Sequence, residues 1–397
     1  MHSRTTFLRE SVLGGVQPAS VVVSGMGLSS ALGIGVEACT TQLLRGPVAP
    51  KAWTIASLGE TFTAPVYAIP DDQSLDDPLR AVGLIERVVM EAVTAAGLTA
   101  DELRTLPIFI GSSAYSLDRD AIRVDVDSAF AAIGVQPVVA HEQITTIVQR
   151  LLGSTQPSFA FQTACTSSAN AIISAARMIA LGWHKHALVL GVEIANLATV
   201  AGFGSLQLIA SELKPFDRNR QGIVLGEGIG AVVLSAAKGN HAGLYIRGGG
   251  TNIDTYRVTM SNPDGIVTAT LTEQVLRRAG VSAETVAGIK AHGTGSPMND
   301  SGEAAVVHRV FASPPPVCAL KSYLGHTLGA CGLNELVLLG VALKSGIFPA
   351  TPGFEEVDPA LNLTPTREPI PARDGHYLLN YFGFGGHNTV LLAEHRS

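Results

Sequence analysis

Along Val89–Ser113, VMEAVTAAGLTADELRTLPIFIGSS, apolar positions first recur at helical spacing and then close up into a short unbroken run. That change of period predicts an amphipathic helix followed by a buried strand. Between them stand Ala-Gly, an aliphatic residue, Thr, Ala and an acid, which together mark the end of one element before the next. The same order returns at Leu271–Gly295, LTEQVLRRAGVSAETVAGIKAHGTG. Gly97 to Gly111 spans 14 positions, and Gly280 to Gly293 spans 13. Upstream, VVVSGMGLSS (Val21–Ser30) and YIRGGGTNID (Tyr245–Asp254) each read as a strand running into glycines. Downstream, FAFQTACTSSANAIISAARMIALG predicts a strand, a tight turn and a small-residue helix, and VCALKSYLGHTLGACGLNELVLLGVALKSG repeats that order. Strands close both halves: ALVLGVEIA in the first, YLLNYFGFGG and TVLLAEH in the second.

The chain therefore reads as two similar mixed α/β halves, each burying what the other leaves exposed. They cover residues 20–240 and 241–397, behind an N-terminal extension of residues 1–19. The boundary falls near Ala237–Gly243, where AAKGNHAG breaks the pattern. A single duplication is short of the three units a solenoid needs.

Composition narrows the class. With 397 residues the chain can bury a large core, and it exceeds the usual size of one simple domain. Hydrophobic residues make up 46% and charged residues 15%, so much of the chain is interior or interface. A net charge of −6 and the lack of any Lys/Arg-rich run argue against nucleic acid as the main partner. Cys39, Cys165, Cys318 and Cys331 match neither a zinc pattern nor a disulfide framework, and read as reduced thiols of a cytoplasmic protein. The opening MHSRTTFLRESVLGGVQPAS lacks the continuous apolar core of a signal peptide. The uncharged run Ile194–Ser211 is long enough to span a bilayer, but it is full of Gly, Asn, Ser and Gln. It reads as buried core or dimer surface.

Candidate chemistry gathers at the junctions between elements. In FQTACTSSAN, Cys165 stands where a strand turns into a helix, facing that helix's free N–H groups and positive end. This placement is expected to favour thiolate over thiol. Alone, such a cysteine reads more often as a small hydrophobe in a packing corner. The second half adds His292 in AHGTGSP and His326 in LKSYLGHTLGACG, both in glycine-rich turns that the repeat maps opposite the cysteine. Lys321 lies five residues before His326, and Glu335 nine after it. The loop NYFGFGGHN, Asn380–Asn388, has glycines that allow unusual backbone angles and N–H groups that could face an oxyanion.

Taken in order, TACTSS, KPFDRNRQGIVLGEGIG, AHGTGSPMND, LKSYLGHTLGACGLNE and NYFGFGGHN resemble the signature blocks of the β-ketoacyl-acyl carrier protein synthases. The resemblance runs from about Val21 to His395. It implies an α/β thiolase-like fold, two pseudo-repeated mixed halves in a five-layered αβαβα core. It also implies an acyltransferase that extends an acyl chain by two carbons through decarboxylative condensation with malonyl-carrier protein. Cys165 would be the nucleophile. His292 and His326 would hold the malonyl thioester and stabilise the enolate, with Lys321 and Glu335 in support. The backbone N–H groups of Cys165 and Phe384 would form the oxyanion hole, and Phe384 would also gate the two half-reactions. Thr294, Ser296 and Phe382 are expected at the substrate. No organic cofactor or metal is implied, because the phosphopantetheine arm arrives on the carrier protein.

Several positions depart from the family's pattern. Ser296 replaces a threonine but keeps the hydroxyl, and His387 either contacts substrate or caps a turn. Ala114 and Tyr115 stand where relatives often carry Ile-Gly, in a segment that lines the acyl pocket, so chain length stays open. The loop before Lys214 looks short, which suggests a specialised polyketide or polyene pathway, such as an aryl polyene, as well as fatty-acid synthesis.

Carrier proteins are acidic, so Arg80, Arg87, Lys214, Arg218 and Arg220 are candidates for a docking patch. Each one alone reads equally as a solvated charge or an internal ion pair. The expected assembly is a homodimer, or a heterodimer with a non-catalytic chain-length factor. Being such a factor itself fits poorly with Cys165 and both histidines. A thiolase acting on acyl-CoA would need a second cysteine near the C-terminus, and nothing after Cys331 offers one. A Cys-His hydrolase would not explain the repeat.

Overall fold

The computed structural model describes residues 19–57, 60–71, 79–114, 140–239, 241–258 and 262–397. Its first half contributes strands β1 (Val21–Ser30), β2 (Ile108–Gly111), β3 (Ser158–Phe161), β4 (His186–Glu193) and β5 (Gly228–Ala236). The second contributes β6 (Gly243–Ile253), β7 (Val286–Lys290), β8 (Val317–Cys318), β9 (Gly375–Gly383) and β10 (His387–Arg396). The spatial order is β3-β2-β4-β5-β1-β6-β10-β9-β7-β8, so each half carries the same sequence of neighbours mirrored about its middle. Parallel and antiparallel pairs match as well. β2 lies parallel to β3 and β4, and β7 lies parallel to β8 and β9. The halves meet where β1 and β6 pair antiparallel through Val21↔Ile246 and Val22↔Tyr245.

The matched helices obey the apolar spacing seen in the sequence. Helix α1 (Arg80–Ala95) buries Ala81, Leu84, Ile85, Val88, Val89, Ala92 and Val93, one face at helical period. With α2 (Ala140–Leu152) it covers the outside of the first sheet. Helices α4 (Ile266–Ala279) and α5 (Pro297–Val310) cover the outside of the second. Both matched helices stop at a glycine in the left-handed region, Gly97 at φ 65° and Gly280 at φ 69°. Thr99 then caps the short helix Ala100–Arg104 in a reciprocal box with Glu102, and a single helical turn, Ala283–Thr285, stands at the equivalent place.

Between the sheets run α3 (Ser167–Ala180) and α6 (Cys331–Lys344), giving the five layers of a thiolase-like fold. Every residue of α6 from Cys331 to Leu343 is buried, as expected of a helix apolar on all sides. Each fully buried Leu or Val there contributes ~1.5–3 kcal/mol. The two central helices touch at their N-terminal ends. A Cβ on Gly332 would stand 2.3 Å from the backbone nitrogen of Ala169, and one on Gly111 would stand 2.2 Å from Ser168. Only glycine permits that approach, and it brings the two helix starts, with Cys165 and Cys331, into one layer. Residues 194–211 hold the nine-residue helix Leu197–Ser205, and among the described residues no helix is long and apolar enough to cross a membrane.

Candidate active site

β3 ends at Phe161, and the chain turns through Thr163 and Ala164 into α3. Ala164 adopts φ 51°, the left-handed region that a side chain resists. Local hydrogen bonds hold it there. The Ser167 hydroxyl donates to Ala164 O at 2.6 Å and accepts from Thr163 N at 2.9 Å, while Thr166 Oγ1 donates to Thr163 O at 2.7 Å. The turn presents Cys165, 6% exposed, at the start of the central layer. Its own backbone N–H and that of Phe384 both face the sulfur. The glycines following Phe384 make this possible, with Gly385 at φ 80° and Gly386 at φ 74°.

The expected low thiol pKa is not what the resting site has. Burial pushes Cys165 up to about 12, and the nearby Glu193 carboxyl adds to the rise. The Lys321 ammonium and the two N–H groups pull downward without overcoming it. Desolvation of a full thiolate outweighs the partial charges of a helix end. Cys165 is therefore a thiol at rest rather than a thiolate.

His292 leaves the end of β7, and its turn is fixed from below. The Glu303 carboxylate accepts from His292 N at 2.7 Å and Gly293 N at 2.8 Å, and Asp300 accepts from Thr294 N at 3.1 Å and Phe216 N at 2.7 Å. Ser296 caps α5 by accepting from Asn299 N. His326 is held by its backbone, donating to Val224 O at 2.8 Å and accepting from Gly226 N at 3.0 Å. The two rings stand edge to face with centroids 5.3 Å apart, and Phe382 lies 5.6 Å from His292.

Both imidazoles are pushed well below their ordinary pKa, first by burial and then by the Lys321 charge. Lys321 Nζ donates to Glu335 Oε1 at 2.7 Å and His292 O at 2.7 Å, and stands 3.2 Å from His292 Nδ1. Burial works against the lysine's charge, but Glu335 outweighs it and raises Lys321. An ammonium can only donate, so Nδ1 of His292 accepts and the neutral ring carries its proton on Nε2.

Cys165, His292, His326, Thr294, Ser296, Phe382 and Phe384 line one cavity of about 250 Å³. Its apolar wall includes Phe203, whose ring stacks on Phe384 at 5.5 Å between centroids. Phe203 was not legible in advance, because its helix Leu197–Ser205 carries none of the motifs. Lys290, Glu303 and Asp300 were also missed, although a lysine inside the apolar run VAGIK is a signal. Glu193 is a further buried carboxyl. Its Oε2 accepts from Ser113 N, Ser113 Oγ and Gly329 N, and burial pushes it up to about 7.

Other expected residues fall elsewhere. Ala114 is buried in the outer cluster of the first half with Ile110, Ile144 and Leu190. Tyr115 lies outside the described residues. His387 opens β10, half-buried beside Gly385, and is not part of the cavity wall. Of the basic candidates, Arg80 and Arg220 are taken up in internal ion pairs. Arg80 is buried, bound to Asp71 at 2.7 Å and Glu227 at 2.9 Å, and Arg220 is bound to Asp358 at 2.6 Å. Lys214 is flanked by Glu212 and Glu355. Arg87 and Arg218 are exposed.

Comparison with known proteins agrees with this architecture. The beta-ketoacyl synthase N-terminal domain matches residues 19–239, and the beta-ketoacyl synthase C-terminal domain matches residues 244–355. A 3-oxoacyl-[acyl-carrier-protein] synthase 2 of Rhizobium meliloti is 30% identical, over 94% of this chain and 98% of that protein. The solved ishigamide ketosynthase/chain length factor is 27% identical, covering 96% of this chain and 100% of its own, with a TM-score of 0.80. A ketosynthase in complex with its chain length factor from Xenorhabdus doucetiae shares the fold, with a TM-score of 0.82 at 24% identity over the full length of both chains.

Proposed function

Since this chain belongs to the beta-ketoacyl synthase family, we propose that its pocket condenses an acyl chain held on Cys165 with a malonyl unit delivered by an acyl carrier protein. The chain is a 3-oxoacyl-acyl carrier protein synthase, an acyltransferase-class condensing enzyme. The assignment of roles below is supported by one arrangement. A buried thiol faced by two backbone N–H groups shares a cavity with two neutral imidazoles.

In the first half-reaction the Cys165 sulfur attacks the carbonyl carbon of the acyl-carrier thioester. The N–H groups of Cys165 and Phe384 receive the developing oxyanion. The carrier's C–S bond breaks, and the proton lost by Cys165 ends on the departing carrier thiol. With the lone pair of His292 taken by Lys321, the neutral His326 ring is the base in the same cavity that relays it.

In the second half-reaction malonyl-carrier loses carbon dioxide. The electron pair of the broken C–C bond moves onto the thioester carbonyl as an enolate. Nε2–H of His292 and the His326 ring stabilise that oxygen in a site without bulk water. The enolate carbon attacks the acyl-Cys165 carbonyl, the C–S bond breaks, and the Cys165 thiolate takes up a proton. The product is a 3-oxoacyl chain two carbons longer. The reaction balances without a cofactor, and Phe384, stacked on Phe203, is the gate between the steps.

The partners we assign are an acyl carrier protein and a second ketosynthase-like subunit. β3 ends the strand order with one edge open among the described residues, and its Phe159 and Phe161 are half-exposed. An open edge of this kind accepts another strand. We assign this edge to the partner, a second copy or a chain length factor, and the likeness to the ishigamide ketosynthase/chain length factor supports the second. All four cysteines are unpaired and buried, consistent with a cytoplasmic setting.

Intact-mass spectrometry after incubation with acyl-carrier thioesters of graded length tests the reading. A mass increase located on Cys165, followed by a 3-oxoacyl product once malonyl-carrier is added, is expected. Acylation elsewhere, or none with any thioester, overturns it.

A further inference from the structure

Lys290 is a second fully buried ammonium at the site, and none of the chemistry above uses it. It ends β7, two residues before His292. Its Nζ donates to Glu335 Oε2 at 2.5 Å and to Asn380 O at 2.8 Å, and stands 3.6 Å from the centre of the Tyr381 ring. Lys321 holds the other oxygen of the same carboxylate. Burial lowers Lys290 and the Lys321 charge adds to that, while Glu335 opposes it; one buried anion thus serves two buried lysines beside the two imidazoles.

We propose that Lys290 is a positioning residue for the His292–His326 pair: its ammonium clamps Glu335 from the side opposite Lys321, which holds Lys321 against Nδ1 of His292. The inference rests on the condensing reading above. A singly held carboxylate could turn with its lysine, whereas one held at both oxygens is fixed in position. Asn380 adds a second tie. It accepts from Lys290 through its carbonyl, and its amide donates to Glu303, the carboxylate under His292 and Gly293. Lys290 therefore connects the His292 turn, α6 and the strand leading to Phe384.

The charge acts in the same direction as the geometry. The titratable groups around the rings are Lys290 and Glu303 below His292, Asp300 of α5, Lys321, Glu335 and Cys331 of α6, Cys318 of β8, Tyr381 of β9, Cys165, and Glu193 of β4. The thiols and the Tyr381 phenol are raised by burial and stay neutral. Glu193 and Glu303 are pushed up to about 7 by burial, and Asp300 is raised as well. Behind burial itself, the two lysines are what depress both histidines, together with the neighbouring ring for His292. Without the Lys290 charge, Glu335 neutralises Lys321 alone and the rings take protons at higher pH. A protonated His292 has no lone pair for Lys321, so the contact that orients Nε2–H is lost.

The test is carbon dioxide release from malonyl-acyl carrier protein, followed from about pH 5 to pH 8, for the intact protein and its Lys290→Met, Lys290→Gln and Lys290→Arg variants. Acylation of Cys165 is measured in parallel as a check on folding, and Gln keeps donors for Glu335 and Asn380 if the core rejects Met. The neutral variants should move the acid limb up by about one pH unit, a roughly tenfold loss of kcat on that limb. KM for malonyl-carrier should stay nearly unchanged, and Arg should restore most of the profile. An acid limb left in its original place in a folded neutral variant overturns the proposal, however low the rate. A parent protein that becomes acylated but releases no carbon dioxide at any pH overturns the condensing reading, and this inference with it.

Discussion

Lys321 Nζ lies 3.2 Å from Nδ1 of His292, and this contact fixes which nitrogen of the ring carries its proton. The imidazole then points Nε2–H into the cavity as a donor. Substituting His292 by Ala removes one of the two enolate donors proposed above. Decarboxylation of malonyl-carrier should fall by about 10²–10³-fold, the loss typical of one oxyanion donor. Acylation of Cys165 should continue, and an equal loss of both half-reactions in a stopped assay would refute this division of labour.

Cys165→Ala separates the half-reactions from the other side. No acyl-enzyme should form, while carbon dioxide release from malonyl-carrier persists, since both imidazoles and the cavity remain. Intact-mass spectrometry and a carbon dioxide assay on the same sample decide the point. An acylated Cys165→Ala protein would show that another residue is the nucleophile.

Glu335 joins two buried ammonium groups, Lys290 and Lys321. Replacing it by Gln leaves two like charges facing each other without water. The cost should be about 3–5 kcal/mol of stability, the range for breaking a buried ion pair from one side. Urea unfolding of the variant against the parent measures it, and a loss under about 1 kcal/mol would mean the lysines are not both charged.

His326 is neutral in the folded protein well below its ordinary pKa, whereas in the unfolded chain it gains a proton near pH 6.5. Its depressed folded pKa means that nothing is lost at pH 7.5. As pH falls below about 6.5, unfolding is favoured by ~1.4 kcal/mol per pH unit. His326→Gln lacks this term, so its stability relative to the parent should rise steadily between about pH 6.5 and pH 5. Parallel urea curves for the two proteins across that range would contradict a buried neutral imidazole. A difference measurement is needed, because Glu193 and Glu303, raised to about 7, bend the parent's own curve the opposite way.

Much of the site was legible because its residues sit in motifs that also make turns. Cys165 follows a strained Ala164, and His292 and His326 sit in glycine-rich turns, so the chemistry and the backbone signal coincide. Where a residue's role depends on a distant partner, the sequence was silent. Arg80 reads as a surface charge until Glu227, 147 positions away, closes on it. Arg220 and Asp358 are 138 positions apart. Lys290 stands beside His292 in the chain, yet only the approach of α6 shows what its ammonium holds.

By itself, the order of apolar and polar residues determined that the protein is a duplicated α/β chain, since helix and strand periods are local properties repeated in both halves. It also placed a thiol and two imidazoles at the ends of elements. The tertiary structure alone decided their protonation. Desolvation depends on everything packed around a group, and it turned the expected thiolate into a thiol and kept both histidines neutral beside two lysines.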